Sequence, residues 1–417
     1  MTLRRRPRPR APRRPAVAGS VGLALLLLAL AGCAATGADP PESGHAGHGE
    51  PPAASASASG EETSGAHGGH AAGEAAEEPA SRPLRAGERR TTVAMGAAYT
   101  PSAPTGVGTD DYRCFLLDPE LTEDQFLTGT DVRPGNPDVV HHVILFLVTP
   151  DRVAEAEAVD QGVEGPGWTC FGGSGISGDS LDDAPWLAAW APGGREQVFG
   201  KGYGIPVPAG SRVVMQVHYN LLAGAEEDVS ATRLRLAPAS ADLTPVGTML
   251  LPAPVELPCR AAYADGPLCD RADAVADVKE RFGQGAGSTA DGLHFLCASV
   301  PTPGPVQSCT RVIQRPMTVL GAAGHMHLLG RSIRIEANPG TPRARTLLDI
   351  PVWSFDDQAA VPVGPFRLRP QDTVRVTCRH SQRLRDLLPS FEGQPDRYVV
   401  WGEGTTDEMC LGILQTA

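Results

Sequence analysis

Five histidines and one methionine stand at spacings that could hold metal. His141 and His142 enter the apolar run Val139-Val140-His141-His142-Val143-Ile144-Leu145-Phe146-Leu147-Val148. The run is β-branched or large, which reads as a buried strand. A buried imidazole needs partners for a donor and an acceptor that water no longer satisfies, and a metal ion is one such partner. Consecutive strand residues point to opposite faces. Both histidines therefore reach one ion only if the backbone is irregular at the strand entry, which Asn136-Pro137-Asp138 upstream permits. Taken alone, the pair reads equally as two core or edge histidines. In Arg212–Tyr219, alternation puts Val214, Gln216 and His218 on one face. In Gly324-His325-Met326-His327 the i,i+2 spacing puts both imidazoles on one strand face, a natural chelate. Met409 sits in Gly404-Thr405-Thr406-Asp407-Glu408-Met409-Cys410. By itself it is a packing residue; joined to two histidines, its soft thioether selects Cu(I) over zinc. Of the eleven histidines, four more lie in a low-complexity segment, and His294 and His380 stand alone.

The elements that must position these residues begin after an address segment. Arg4 to Arg14 is basic, Val17 to Leu30 is apolar, and Leu30-Ala31-Gly32-Cys33 resembles a bacterial lipobox. The resemblance implies cleavage before Cys33, lipidation of its thiol, and a chain exported and anchored to the outer face of the bacterial cell membrane. The alternatives are an ordinary secretory signal or a membrane anchor, for which the apolar stretch is short. Residues 34–92, rich in Ala, Gly, Ser, Pro and Glu, are expected to form a disordered tether. It carries Gly44-His45-Ala46-Gly47-His48 and His67-Gly68-Gly69-His70, tracts that can gather copper or zinc weakly or be incidental.

The remaining roughly 325 residues suit two domains. With 48 Gly and 39 Pro, the chain is well above the average of about 12% for the two together. Short helices are expected over 153–159 and 272–281, and short strands between Gly/Pro turns elsewhere. The fold class is thus all-β, two consecutive antiparallel β-sandwiches (93–245 and 246–417), jelly-roll-like. A net charge of −12, with basic residues dispersed outside the signal, argues against nucleic acid as partner. Of nine cysteines Cys33 is assigned to lipid, leaving eight in a compartment where disulfides persist. They fall in even blocks: Cys114 and Cys170; Cys259, Cys269, Cys297 and Cys309; Cys378 and Cys410. Pairing within blocks is the simplest scheme, with the middle four open.

Taken together, HHV-ILF, QVHY, HMHLLG and DEMC, in this order, resemble the copper type II, ascorbate-dependent monooxygenases, the peptidylglycine α-hydroxylating and dopamine β-type enzymes. Asp111-Tyr112-Arg113-Cys114, Ala189-Trp190-Ala191-Pro192 and Phe355-Asp356-Asp357-Gln358 are similar to further family landmarks, and the resemblance covers roughly residues 108–413. It implies two mononuclear coppers facing each other across a solvent-filled cleft. His141, His142 and His218 would hold the electron-transferring copper; His325, His327 and Met409 would hold the one where dioxygen and substrate meet. Gln216 could line the cleft, the other reading being a hydrogen-bonded sheet glutamine.

The departures bear on substrate and cystines. Family members that hydroxylate peptides hold the substrate carboxylate with an arginine, an asparagine and a tyrosine; Ala323, Leu411 and Ile413 stand at those places, so no charge-assisted fork forms. A segment of about 259–297 with its own cysteines interrupts the family's second half. A family cysteine is replaced by Val229, which leaves Cys170 as a partner for Cys114. The expectation is a monomeric copper monooxygenase using dioxygen and ascorbate or another one-electron donor on a small-molecule or extracytoplasmic substrate. The alternative is a copper-binding surface lipoprotein without turnover.

Overall fold

The structure, a computed structural model, describes residues 81–103, 109–176 and 185–417. The expected signal segment, Cys33 and the His-rich tracts lie outside them. The protein is all-β, with most strands in antiparallel sheets. In the first half, one sheet runs in the order Arg89–Ala94, Ala231–Pro238, Gln125–Arg133, Tyr203–Val207, edged by the parallel pair Thr244–Pro245. The facing sheet has the order Trp168–Thr169, Asp110–Leu117, Arg212–Asn220, Val140–Val148, Trp186–Trp190. Alternation explains the packing. Val213, Met215, Val217 and Tyr219 point into a core shared with Phe115, Leu117, Val143 and Leu145. Val214, Cys114, Phe146 and Trp168 form a second cluster on the outer face of that sheet. His218 belongs to this outer face.

In the second half, Gly247–Pro252, Leu411–Thr416, Met317–His325 and Val361–Leu368 form one sheet, and Val306–Val312, Thr373–His380, Gly330–Ala337 and Arg345–Ile350 the other. Val319, Met326, Ile333, Ile335, Val374 and Val376 fill the space between. Among the described residues no strand pair joins residues up to 245 to residues from 247 onward.

Two boundaries differ from expectation. Residues 89–92, expected to belong to the tether, are part of the strand Arg89–Ala94, registered on Ala231–Leu236. Arg90 of this strand pairs with Glu196 at 2.9 Å, and Glu88 just before it pairs with the buried Arg235 of the neighbouring strand. The helix expected over 272–281 runs from Arg271 to Leu296 and is broken at Gly283, whose φ of 86° only glycine adopts cheaply. The first leg is N-capped by Asp270, whose side chain accepts from the Ala272 amide at 2.7 Å. The two legs lie side by side. Ala274, Val275 and Val278 share a cluster with Ala290 and Leu293, and Arg271 pairs with Asp291 at 2.9 Å. We call this helical hairpin α2. The helix expected over 153–159 spans Val153–Gln161 and is α1.

Four disulfides join Cys114–Cys170, Cys259–Cys269, Cys297–Cys309 and Cys378–Cys410, all within the expected blocks. The middle two staple both ends of α2.

Candidate metal centres

The first centre depends on one irregularity. Val140 pairs with Tyr219 and His142 with His218, so His141 is an extra residue in its strand. A bulge of this kind bends the strand and re-aims a side chain. It lets two consecutive histidines share one side of the sheet with His218. Their Nδ1 atoms converge: His141 to His142 at 3.3 Å, and His218 to His142 at 3.2 Å. One ligand atom from each of the three lies within 4.8 Å of the others. The opposite nitrogen of His218 donates to the Asp110 carboxylate at 2.8 Å, which fixes its tautomer and leaves Nδ1 as the free lone pair. Burial pushes the Asp110 carboxyl up, but hydrogen bonds and charge from His218, with a further bond from Thr405, hold it below its ordinary value. Tyr112 stacks on the His218 ring, 4.1 Å between centroids and 7° off parallel. Burial, then the neighbouring imidazoles, hold His141 and His142 well below the usual histidine range. They are neutral at physiological pH, the state a ligand needs.

The second centre is assembled from two segments. His325 ends the Met317–His325 strand and is registered on Leu411. Met326 turns into the core, leaving His325 and His327 on the outer face with ring centroids 5.1 Å apart. Gln358 Oε1 lies 2.7 Å from His325 Nδ1, so that nitrogen carries the proton and Nε2 is free. Both ring nitrogens of the buried His327 lack any partner. Burial and His327 bring the His325 imidazole down to about 3.

Glu408 ties the methionine segment to the histidines. Its fully buried carboxylate accepts the His327 amide at 3.0 Å, the Leu329 amide at 2.6 Å and the Met409 amide at 3.1 Å. His380 approaches the same carboxylate at 3.3 Å, and the Cys378–Cys410 bridge lies next in sequence to Met409. Met409 itself is buried in the cluster of α2, with Leu250, Trp401 and Leu411.

The outer faces of the two sandwiches meet here. The resemblance implied a solvent-filled cleft between the centres; instead the His142 and His325 rings are 5.7 Å apart. Phe355 stacks on His141 at 4.0 Å and presents its face edge-on to His327 at 6.3 Å. Tyr112 donates to the Glu403 carbonyl at 2.7 Å, and Thr405 donates to Asp110. The buried Glu403 side chain is pushed up to about 7 by burial and then by Asp407.

Gln216 shares the His218 face, but its amide is engaged by the Gly173 carbonyl at 2.7 Å beneath the Cys114–Cys170 bridge. It occupies the place of a hydrogen-bonded sheet glutamine, 2% exposed, and does not open on a cleft. Leu411 and Ile413 pack under α2, and Ala323 pairs with Ile413. No cationic or amide side chain stands at those three positions. His294, alone in the sequence, is a structural tie: it meets Glu256 at 2.7 Å beneath α2.

Sequence reasoning gave no role to Asp110, Thr405, Glu408, His380 or Arg281. Tyr112, Phe355 and Gln358 fell in landmark motifs without an assigned contact.

No family model matches the chain, and no curated protein matches it. Among solved structures, an allantoicase is 14% identical, covering 70% of this chain and 78% of its own, with a TM-score of 0.17. A fucolectin from striped bass serum is 9% identical, covering 79% and 97%, also with a TM-score of 0.17. Overlays this loose carry no argument about architecture or activity.

Proposed function

We propose that this protein is a copper-dependent monooxygenase of the copper type II, ascorbate-dependent kind, hydroxylating a C–H bond of an extracytoplasmic substrate. The reading is supported by two histidine groups in ring contact, three imidazoles on one side and two on the other, the latter tied through Glu408 to the segment that carries Met409. The donors fit the ion. Three imidazoles bring their Nδ1 atoms together, where they cannot all satisfy one another. The buried His327 has two nitrogens without partners. Imidazole suits copper, and a thioether selects the reduced ion. Zinc tolerates three histidines but gains nothing from Met409.

Bound copper would supply one-electron chemistry at each centre, two electrons in all, matching RH + O2 + 2e− + 2H+ → ROH + H2O. The chain supplies the rest. Asp110 and Gln358 hold His218 and His325 in the required tautomers. Phe355 stacks on His141 and crosses His327 at a steep angle, so it stands at the junction between the two histidine groups. Ala323, Leu411 and Ile413 offer no fork for a carboxylate, which favours a substrate other than a C-terminal peptide.

Four disulfides favour an oxidising compartment, in line with export and a lipid anchor at Cys33. Among the described residues no helix is long and apolar enough to cross a membrane. The second reading, a copper-holding surface lipoprotein without turnover, draws on the same donors. Copper titration with oxygen uptake on the purified mature protein separates them. Two copper equivalents with ascorbate-dependent oxygen consumption are expected. Two equivalents without consumption favours the second reading, and zinc preferred over copper under reducing conditions overturns both.

A further inference from the structure

The α2 hairpin interrupts the motif order that carries the resemblance, yet its tip reaches the second centre. The two legs turn at Gly283, so Arg281 and Phe282 stand at the apex. Phe282 meets Phe171 of the first sandwich edge to face, with centroids 5.0 Å apart. A side chain on Gly404 would strike the Phe282 ring at 3.0 Å, which shows how closely the apex is seated on the Met409 loop. Arg281 grips Asp407 with both guanidinium nitrogens, at 2.7 and 2.8 Å. Asp407 in turn closes the loop, accepting the Gly404 amide at 3.1 Å while its own amide donates to the Gly404 carbonyl at 2.8 Å. The Gly402 amide donates to the Glu408 carbonyl at 3.1 Å. Met409 follows two residues after Asp407 and packs in the α2 cluster. Arg397 supports the same carboxylate at 3.4 Å and is tied to α2 through Asp277 at 2.9 Å.

We propose that Arg281 is a positioning residue for the second centre: through its bidentate grip on Asp407 it sets where the Met409 thioether lies relative to His325 and His327. A planar fork fixes a carboxylate in direction as well as distance, which a lysine does not. The inserted hairpin thus does for the methionine loop what Gln358 does for His325. This rests on the copper reading above, and the test keeps the two apart.

The experiment uses the whole mature chain with Arg281→Gln, Arg281→Lys and the double variant Arg281→Gln/Asp407→Asn. The double variant leaves no unpaired buried charge if the single variant fails to fold. Cu(I) alone is the probe, read by competition titration and by X-ray absorption for a sulfur scatterer. Loss of a supporting contact of this kind costs about 10- to 100-fold in metal affinity. In both glutamine variants we expect a Cu(I) affinity loss of about tenfold or more at the second centre, a weakened sulfur signal, and an unchanged first centre. Lysine should rescue only part. If folded variants keep the sulfur signal and bind Cu(I) within about twofold of wild type, Arg281 is merely structural and the proposal fails. If wild type itself shows no sulfur scatterer, the Met409 reading fails instead.

Discussion

The two centres are built in opposite ways. The first is a property of one sheet. All three imidazoles come from adjacent strands whose register is fixed by continuous pairing, and a single bulge at His141 supplies the geometry. The second is a property of a junction. Two histidines at a strand end are tied through Glu408 to a loop that carries a methionine, and that loop is backed by the Cys378–Cys410 bridge and α2. The difference teaches where each can fail. A centre made of ladder-bonded strands keeps its fold when a support is removed and loses only affinity; one made of a loop loses stability as well.

The largest effect should come from ligand removal. Met409→Ile keeps bulk and loses the thioether. Turnover should fall close to background, with the sulfur signal gone from X-ray absorption of the reduced protein. The first copper should remain loaded and reducible by ascorbate, because Met409 packs with α2 and shares no ligand with it. His142→Ala should do the reverse, emptying the first centre while Cu(I) still binds the second. A sulfur signal that persists in Met409→Ile removes Met409 from the ligand set.

The supports come next. Glu408→Gln places an amide NH2 where a carboxylate accepted backbone amides, and leaves His380 without its charged partner. A buried network broken at one member costs on the order of 3 kcal/mol. Urea unfolding should show that loss. Asp110→Asn is the counterpart at the first centre. The sheet stays intact, so stability should change by under about 1 kcal/mol, while copper affinity falls roughly tenfold. Equal stability losses in the two variants would erase the contrast drawn here.

A smaller effect should appear with pH. The metal-free folded state holds His141, His142, His325 and His327 below their ordinary value of 6.5, His325 at about 3. The unfolded chain therefore binds more protons between these limits, and stability is lost as pH falls from about 6.5 toward 3. Glu403, raised to about 7 by burial, and Asp111, also raised by burial, work in the opposite sense, but they are two groups against four. Thermal melts of chelator-treated protein should drop through this window, more shallowly in His325→Gln. A flat profile from pH 6.5 to 5 contradicts the neutral histidine cluster.

Much of this was legible in the sequence. Alternation in Arg212–Tyr219 put His218 beside Gln216, and the clash between adjacent histidines and strand geometry demanded an irregularity, found as the bulge at His141. What stayed hidden had two causes. The second leg of α2 contains Gly283, Gly285, Gly287 and Gly292 with Ser288 and Thr289, a composition that reads as loop. It is helical because packing on Trp401 and Tyr398, and staples at both ends, override propensity. Glu408 was visible as a letter, but its role comes from backbone amides of residues 327 and 329, which no spacing reveals.

The disulfides carry a consequence for how the chain matures. Each cysteine of the four bridges is joined to the next one along the sequence, and no bridge encloses or crosses another. If the chain is exported N-terminus first and Cys33 is spent on lipid, as proposed above, the first pair of the remaining cysteines to emerge is already a native pair, and so is every pair after it. A thiol oxidase acting in order of arrival makes the correct set without reshuffling, and maturation needs no disulfide isomerase. The Cys378–Cys410 bridge beside Met409 closes last, so the loop centre is completed only after the sheet centre has its whole sequence outside.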